Sequence, residues 1–429
     1  MSAASAATDM AGFLGYRCST CRKEYAPDPI RYTCPVEGAN LDIVLDLETL
    51  RRTGSPATIE ANPEGSMWRY LPLLPVRDPG LRGTPLRSVG WTPLFESPRL
   101  AARSGLRRLW LKDDGRNPTA SFKDRASALV VARASEIGVD RVVTASTGNA
   151  GAALAGMSAA AGLPAVIFAP KTAPPAKVAQ LLVFGAQVFL VEGTYDDAFD
   201  LTLQASEAFG WYCRNTGYNP FTAEGKKTAA FEIAEQFTVT GEGKNRNHWD
   251  VPDAVLIPVG DGNILSGMAK GFQDLVDVGW IERVPRLFGV QAEGSAAIAR
   301  AFASGSTTIE PVRSKTLADS ISVDLPRDGA RALGAVRATG GEFLTVSDDA
   351  ILAAIRELGR EAAVFAEPAA AAAHAGLAEA VRRGLVQDDD RIVLLITGSG
   401  LKDVRAARQS VGDPEVIAPT LDAVREAMA

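Results

Sequence analysis

Cysteine, histidine and long apolar runs are scarce in this chain. It has four cysteines and two histidines among 429 residues. Four cysteines are too few for a disulfide framework at this length. His248 and His374 lie far apart in the sequence, which argues against a histidine-based triad or metal site. No stretch approaches the roughly 18 uninterrupted apolar residues of a membrane-spanning helix, so we expect no membrane partner.

Basic clusters are lacking as well. The formal net charge is −6, without a long run of lysine and arginine, which argues against nucleic acid as the main partner. A small anionic substrate remains open, because a local site can be basic on an acidic protein. Residues 1–18 have neither a basic start nor a long apolar core, and we expect a cytoplasmic protein. The hydrophobic content of 46% provides for two domains or one large one.

Three of the four cysteines are clustered near the N-terminus. Cys18 and Cys21 form a C-x-x-C pair, and Cys34 begins the stretch CPVEG. A zinc ribbon has two C-x-x-C pairs, and this segment contains one complete pair and the first cysteine of the second. Glu37 stands about where the last cysteine of the second pair would be. Structural zinc prefers four protein ligands, so the sequence favours a metal-free remnant over a bound ion. We interpret Cys213 as a buried small apolar residue.

From about residue 100 onwards, short apolar runs alternate with longer alanine-rich segments. The runs are bounded by glycine, proline or polar turns, which predicts buried strands at 108–114, 141–146, 164–170, 186–193, 254–260, 286–293 and 391–398. Helical spacing and terminal glycines predict helices at 122–138, 149–162, 174–185 and 264–279. The repeated order predicts doubly wound parallel sheets with helices on both faces. Residues 361–382 are predicted to form a tightly packed helix, with a turn at Glu367-Pro368.

Four of the strand-to-helix junctions are unusually rich in glycine or hydroxyl side chains. Ligands of parallel sheets gather beyond the carboxyl ends of the strands, where loops meet helix N-termini. These junctions are therefore the candidate sites. They are NPTASFKDR at 117–125, ASTGNAGAALAG at 145–156, PVGDGNILSG at 258–267 and ITGSGLKD at 396–403.

Two of these junctions have the character of anion sites. The glycine-rich turn at 260–267 presents free N–H groups and the positive end of a helix dipole, which can hold a phosphate without a cation. It matches neither the P-loop nor the dinucleotide-binding pattern, so a phosphate site and a plain tight turn both stay open. At the other junction, Ser146, Thr147 and Asn149 offer more donors at a helix start than capping needs.

Lys123 stands beside Phe122 at the predicted first turn of a helix. The helix field and apolar walls disfavour an ammonium and lower its pKa, and a neutral lysine can form a Schiff base with an aldehyde. Considered alone, an ordinary solvated lysine paired with Asp124 is the simpler interpretation. Together with a phosphate turn and the hydroxyl-bearing G-S-G loop, the amine completes the groups that hold pyridoxal 5′-phosphate.

The four junctions and the segments WTPLFESPRLAARSGLRRLWLKDDGR, NPFTAEGKKTAAFEIAEQ and FAEPAAAAAHAGL resemble, in order and spacing, threonine synthases of the fold-type II pyridoxal-phosphate enzymes. The likeness runs from about Gly90 to Asp403, and NPTASFKDR is a specific match. It implies a tryptophan synthase β-like α/β fold with two doubly wound sheet domains and a short zinc-ribbon-like segment. The implied divisions are the N-terminal segment at 1–45, a large cofactor domain at 46–129 and 211–429, and a small mobile substrate domain at 130–210.

The resemblance also implies roles for individual residues. Lys123 corresponds to the Schiff-base lysine and general base, with Phe122 beside it; Asn149 would contact the cofactor's 3′-oxygen and Thr397 its ring nitrogen. A hydroxyl at that nitrogen suits elimination and replacement better than transamination. The cofactor phosphate would be held by the turn residues Gly260, Asp261, Gly262, Asn263 and Ile264. The substrate would be bound by Ser146, Thr147, Gly148, Asn149, Ala150, Thr222 and Lys226.

The activity that the resemblance implies is that of a lyase acting on carbon–oxygen bonds of phosphates. It would convert O-phosphohomoserine and water to threonine and phosphate, in a homodimer. The sequence departs from the family at Thr222, where an arginine is taken to bind the substrate phosphate, and at Lys226, which replaces a glutamine. The turn VGDGN is one residue shorter than the family's VGNAGN, and Ser399 replaces a common histidine.

These departures leave other activities open. A cysteate-synthase-like enzyme would act on O-phosphoserine and sulfite, and an enzyme of specialised metabolism would carry out β- or γ-replacement on another O-activated amino acid. A serine/threonine dehydratase is disfavoured, because SFKDR with EGKKTAAFE resembles the synthase branch. A non-catalytic relative is disfavoured because Lys123 is retained.

Overall fold

The strands of the described residues form three separate sheets. The computed structural model describes residues 12–28, 30–146, 148–173, 175–240 and 248–429. The strands are β1 (Phe13–Cys18), β2 (Glu24–Tyr25), β3 (Leu41–Leu45), β4 (Leu94–Glu96), β5 (Leu109–Asp113), β6 (Val142–Ala145), β7 (Ala165–Pro170), β8 (Gln187–Val191), β9 (Tyr212–Cys213), β10 (Ala254–Pro258), β11 (Arg286–Ala292), β12 (Phe343–Val346) and β13 (Ile392–Ile396).

Helices lie between most of these strands. The α-helices of the described residues are α1 (Leu47–Thr53), α2 (Pro56–Glu60), α3 (Pro98–Arg103), α4 (Lys123–Glu136), α5 (Asn149–Ala161), α6 (Pro175–Val183), α7 (Tyr195–Phe209), α8 (Phe221–Thr240), α9 (Asn263–Asp277), α10 (Ala297–Ala303), α11 (Gly329–Ala338), α12 (Asp348–Ala362), α13 (Pro368–Arg382), α14 (Val404–Val411) and α15 (Leu421–Met428). None of them is both long and apolar enough to cross a membrane.

The large sheet has the strand order β12-β11-β10-β13-β5-β4. Its strands are parallel except for the edge strand β4, which is antiparallel to β5. Every residue of β10 and β13 is buried, as expected for a parallel sheet covered by helices on both faces. Because β5, β10 and β13 are parallel neighbours, the loops that follow them meet at one edge of the sheet. These loops carry Lys123, the glycine-rich turn and Thr397.

The small sheet has the order β8-β7-β6-β9, and all of its strands are parallel. The seven strands predicted from the sequence are all present, and the prediction of an α/β fold is confirmed. The sequence does not predict the N-terminal strands β1, β2 and β3 or the short strands β4, β9 and β12. The domain boundaries stay a prediction: the helix α4 runs continuously through the proposed 129/130 boundary, and β9 pairs with the small sheet just beyond the proposed end at 210.

The N-terminal strands form a third, antiparallel sheet of order β2-β1-β3. Its buried residues Phe13, Tyr16 and Cys18 share one apolar cluster with Trp68 and Phe221. The N-terminal segment is therefore packed onto the body of the protein, because the two parts bury a common core.

The prediction of a helix across 361–382 is wrong at residues 363–367. The helix α12 ends at Ala362, and Ala363 adopts the left-handed conformation with φ 55°, which stops a helix. The helix α13 then begins at Pro368, whose fixed φ suits the first helical position and disfavours helix in the residue before it. At Glu367-Pro368, where a turn is predicted, Glu367 is extended (φ −69°, ψ 161°) and precedes the first residue of α13.

Candidate active site

A tight turn places Lys123 at the start of α4. The Ala120 N–H donates to the Asn117 carbonyl (2.8 Å), and Ala120 has a φ of 63°. The Asp124 carboxylate accepts a hydrogen bond from the Thr119 N–H (2.6 Å) and one from the Thr119 hydroxyl. Asp124 therefore fixes the turn, and the ordinary pairing of Lys123 with Asp124 does not form.

Backbone hydrogen bonds join this turn to the loop after β13. The Phe122 N–H donates to the Thr397 carbonyl (2.8 Å), and the Ser399 N–H donates to the Ala120 carbonyl (3.1 Å). The residues Ser121 and Gly398 form an isolated antiparallel bridge. The positions of the lysine and the threonine are therefore fixed relative to each other by main chain rather than by mobile side chains.

Arg125, two residues after the lysine, anchors α4 in the core. Its guanidinium makes two hydrogen bonds to Asp114 (2.7 and 3.0 Å) and two to Glu232 of α8 (2.5 and 2.8 Å). Lys112 also donates to Glu232 (2.6 Å), and all four side chains are fully buried. Burial alone would raise the pKa of Glu232, but Arg125 and Lys112 outweigh it and lower this pKa to about 2.

The Lys123 amine has no hydrogen bond or ion pair with any residue that the structure describes. Burial lowers its pKa; the Glu367 carboxylate opposes this effect, and the Arg214 guanidinium adds to it. The side chain faces a cavity at the carboxyl edge of the large sheet. That cavity is lined by Lys123, Thr216, Lys226, residues 258–264, Ser320, Ile321, Glu367, Ala369 and Thr397.

The predicted phosphate turn forms one wall of this cavity and leads into α9. Gly262 has a φ of 91°, and a Cβ there would lie 2.8 Å from the Asp328 carbonyl oxygen, so only glycine fits without strain. Asn263 begins α9, and its side-chain oxygen accepts a hydrogen bond from the Lys226 amine (2.5 Å). The N-terminus of α9 and Lys226 therefore line the same cavity as Lys123.

Asp261 and Thr222 differ from what a phosphate site usually contains, and the structure shows how each is accommodated. Burial raises the pKa of Asp261, and its carboxylate accepts a hydrogen bond from the Arg327 N–H (3.2 Å). The Thr222 hydroxyl donates to the Asn219 carbonyl (2.7 Å) and lies 3.2 Å from the Asn263 side-chain oxygen. Thr222 therefore supports the turn from behind and does not line the cavity.

Asn149 lies in a neighbouring cavity that shares Ser320 and Glu367 with the first. Its side-chain amide donates to both Glu367 oxygens (2.8 and 3.0 Å) and lies 3.3 Å from the Ser320 hydroxyl. Gly148 lines the same cavity, and its N–H donates to the Ser146 hydroxyl (3.2 Å). Ala150 follows in the first turn of α5 without lining either cavity, and Thr147 lies outside the described residues.

Sequence reasoning missed two residues whose charges act on Lys123, of which Arg214 lines neither cavity. Glu367 lines both cavities; the sequence predicts a turn there, and only the family resemblance places this segment near the cofactor ring. Arg214 is fully buried; it donates to the Thr216 hydroxyl (2.6 Å) and the Ser127 hydroxyl (3.2 Å), while its Nη2 has no hydrogen-bond partner in the part of the chain that the structure describes. Burial lowers the pKa of Arg214 to about 10, and no described carboxylate forms an ion pair with it. An arginine directly after the buried Cys213 was the available signal.

The donor groups of the first cavity fit pyridoxal phosphate. The Lys123 amine suits its aldehyde, and the helix N-terminus at the glycine-rich turn suits its phosphate. The Thr397 hydroxyl, which has no hydrogen-bond partner among the described residues, suits the ring nitrogen. Two parallel α/β sheets with these groups at the strand ends define an enzyme of the fold-type II pyridoxal-phosphate class.

Comparison with known proteins agrees with this class. Residues 86–398 match the family of pyridoxal-phosphate dependent enzymes. The threonine synthase of Methanocaldococcus jannaschii is 37% identical over 93% of this chain and 95% of its own length, and that of Methanosarcina acetivorans is 36% identical over 96% of this chain and 98% of its own. This chain belongs to the threonine synthase family of pyridoxal-phosphate dependent enzymes.

Solved structures support the fold. Threonine deaminase isoform 2 from Solanum lycopersicum superposes with a TM-score of 0.63 at 24% identity, covering 77% of this chain and 86% of that one. Diaminopropionate ammonia lyase from Escherichia coli gives a TM-score of 0.63 at 21% identity, covering 75% and 87%. At these identities the likeness describes the architecture alone.

Proposed function

We propose that this protein is a threonine synthase that converts O-phosphohomoserine and water to threonine and phosphate. The observation that carries the proposal is the half-buried Lys123 amine, which has no partner among the described residues and shares one cavity with the phosphate turn and the Thr397 hydroxyl. The relatives named threonine synthase, which match nearly their full lengths, support the choice of reaction. When bound, pyridoxal phosphate supplies the electron sink for proton removal next to the amino group.

The residues of the first cavity are proposed to hold the cofactor. Lys123, beside Phe122, binds its aldehyde, and Thr397 Oγ1 hydrogen-bonds to its ring nitrogen. The backbone of residues 260–264 and the Asn263 side chain bind its phosphate. Because Lys123 Nζ is unpaired and its pKa is lowered, it is also the proposed base that removes the α-proton and then a β-proton.

The second cavity is proposed to bind the amino-acid end of the substrate. The first turn of α5 presents the N–H groups of Asn149 and Ala150, and Gly148 just before it donates to the Ser146 hydroxyl (3.2 Å), an arrangement that suits a carboxylate. Thr147 is proposed to contribute to the same site. The Asn149 amide, now bound to Glu367, is proposed to contact the 3′-oxygen of the cofactor.

Binding of the substrate phosphate needs a residue that replaces the family's arginine. The Thr222 hydroxyl is already engaged by Asn219 and Asn263, so it is a weak substitute. Arg214 has an unpartnered Nη2 and holds Thr216, which lines the cavity. We therefore assign the substrate phosphate to Arg214 together with Lys226, since a guanidinium can bind phosphate with two parallel hydrogen bonds.

The assay that tests the activity measures free phosphate released by the purified holoenzyme. O-phosphohomoserine should yield phosphate and threonine, and the Lys123→Ala variant should yield neither. Phosphate from O-phosphoserine in a reaction accelerated by sulfite, with none from O-phosphohomoserine, would replace this proposal by the cysteate-forming reaction. Absence of phosphate from both substrates would refute a phosphorylated substrate.

The family resemblance is also the basis for proposing the location, the oligomeric state and the domain motion of the enzyme. We propose a cytoplasmic homodimer whose small domain, residues 130–210, closes over an anionic amino-acid substrate. Light scattering of the holoenzyme measures the dimer directly, and a monomer would contradict it. Hydrogen exchange with and without substrate tests the closure, because residues 130–210 should then become more protected as one unit.

A further inference from the structure

Three cysteine side chains of the N-terminal sheet converge on one point. The sulfurs of Cys18, Cys21 and Cys34 all lie within 4.8 Å of one another, and all three are free thiols. Cys21 Sγ and Cys34 Sγ are 3.9 Å apart, far beyond a disulfide bond of about 2.05 Å. Two sulfurs bound to the same tetrahedral zinc ion at about 2.3 Å would be separated by about 3.8 Å. The thiols are therefore spaced as ligands of one metal ion.

The first two cysteines lie on a short loop with a defined backbone geometry. The Cys21 N–H donates to the Cys18 sulfur (3.4 Å), and the Arg22 N–H donates to the Cys18 carbonyl (3.1 Å). Arg22 closes the loop with a φ of 62°, a conformation that non-glycine residues rarely adopt. This loop aims the sulfurs of Cys18 and Cys21 at the same point.

A second loop repeats this geometry around Cys34. The Gly38 N–H donates to the Cys34 carbonyl (2.8 Å), as Arg22 does to Cys18, and Gly38 has a φ of 64°. Glu37 stands three residues after Cys34, as Cys21 stands three residues after Cys18. Glu37 therefore occupies, in the second loop, the position that Cys21 has in the first.

We propose that Cys18, Cys21, Cys34 and Glu37 bind one zinc ion. Three thiolates favour a thiophilic metal, and zinc accepts a carboxylate oxygen as its fourth tetrahedral ligand. The Glu37 side chain is exposed and has no hydrogen bond or ion pair among the described residues, so it is free to turn towards the sulfurs. The Tyr25 hydroxyl lies 3.1 Å from the Cys34 sulfur, where it supports a thiolate ligand.

The second loop also supports the segment that carries Arg214. Next to this loop, the Tyr32 hydroxyl accepts a hydrogen bond from the Cys213 N–H (2.8 Å), and the Tyr32 ring stacks on Tyr218 with centroids 4.6 Å apart. The Asn40 side chain donates to the Gly217 carbonyl. Contacts from both sides of the Cys34 loop thus hold residues 213–218 in place. Loss of the proposed metal is therefore expected to make these residues more mobile.

The proposal is tested by the metal content of the full-length holoenzyme, prepared with zinc and then dialysed. We expect one zinc ion per chain, lost in Cys21→Ser and unchanged in the matched control Ser19→Ala. Cobalt as a probe should give the visible bands of a tetrahedral site with thiolate charge transfer. In Glu37→Cys the charge transfer should rise by about one third, since four thiolates replace three, while Glu37→Gln should bind the metal at least about tenfold more weakly.

Three outcomes would overturn the proposal, and none depends on the proposed activity. A zinc-free protein without cobalt charge transfer excludes a metal site. A disulfide between two of the three cysteines in freshly purified protein, detected by thiol titration, assigns them to redox chemistry. Equal zinc affinity and equal cobalt spectra in wild type and Glu37→Gln remove Glu37 from the ligands. If Cys21→Ser does not fold, the two Glu37 variants decide the matter.

Discussion

The Asn149 amide lies 2.8 Å from one Glu367 oxygen and 3.0 Å from the other. Asn149 begins α5, which follows a strand of the small sheet, and Glu367 precedes α13, which packs on the large sheet. The same carboxylate raises the pKa of Lys123, in opposition to burial and Arg214. Glu367 therefore lines both cavities: it holds Asn149 in one and raises the pKa of Lys123 in the other.

Glu367→Gln and Arg214→Gln should shift the reactivity of Lys123 in opposite directions. The amine reacts with an aldehyde only when neutral. Loss of the Glu367 carboxylate removes stabilisation of the ammonium, so the pKa falls and cofactor capture extends to lower pH. Loss of the Arg214 guanidinium raises the pKa and moves capture to higher pH.

The measurement is the rate at which apoprotein captures pyridoxal phosphate, followed by absorbance across pH. The exposed surface residue Lys171, paired with Glu192, provides the control: Lys171→Ala should leave the profile in place. Shifts of the same sign in Glu367→Gln and Arg214→Gln would contradict the electrostatic assignment.

Lys123→Ala should abolish the cofactor adduct that borohydride traps. The reason is that no other described lysine combines an unpartnered amine with a place in the phosphate-turn cavity; Lys226 donates to Asn263. Activity should fall by at least about 10²- to 10⁴-fold, the usual contribution of a general base. Mass spectrometry of the reduced protein locates the adduct, and an adduct that persists in the variant would place the anchor elsewhere.

Arg214→Gln should raise the KM for O-phosphohomoserine and weaken inhibition by inorganic phosphate. One charged hydrogen-bonding partner of a phosphate is worth about 1.5–3 kcal/mol, or roughly 10- to 150-fold in affinity. At a pH where Lys123 is neutral in both proteins, the affinity for pyridoxal phosphate should change little. Arg214→Lys should recover only part of the loss, because lysine lacks the two parallel donors of the guanidinium. A large loss of cofactor affinity with unchanged phosphate inhibition would assign Arg214 to the cofactor instead.

Periodicity and motif position were sufficient to predict the main strands and the lysine's place, because both depend on local sequence. The parallel order of β5, β10 and β13 then brings their loops together. Glu367 and Arg214 could not be found in this way, since their roles arise from contacts between distant parts of the chain. Thr222 illustrates the same limit: its position in the motif suggested a ligand contact, whereas its hydroxyl supports Asn263 from behind.

Gly225→Ala should destabilise the protein through the contact between α4 and α8. A Cβ at Gly225 would overlap the backbone at Arg125, two residues after Lys123. We expect a loss of about 1–3 kcal/mol in the free energy of unfolding and weaker cofactor binding, because the helix that carries Lys123 must move.

The matched control is Gly359→Ala in α12, where an added Cβ meets nothing within 4 Å. Alanine there should be neutral or stabilising by about 0.5–1 kcal/mol, since glycine is unfavourable inside a helix. Denaturant unfolding of both variants gives the comparison. Equal free energies of unfolding for the two variants would show that α4 and α8 can move apart without destabilising the protein.

Glu232→Gln should destabilise the protein by about 3–5 kcal/mol, because it leaves Lys112 and Arg125 buried with only Asp114 as a counterion. The pH dependence follows from the lowered pKa of Glu232. Its ordinary pKa is 4.5 and its folded pKa is about 2, so its contribution is complete above 4.5 and is lost as the pH falls towards 2. Urea unfolding at neutral pH and at pH values below 4.5 should therefore show the difference between wild type and Glu232→Gln shrinking with acid. A difference that stays constant or grows would mean that the network stabilises the fold by packing rather than by the charge of Glu232.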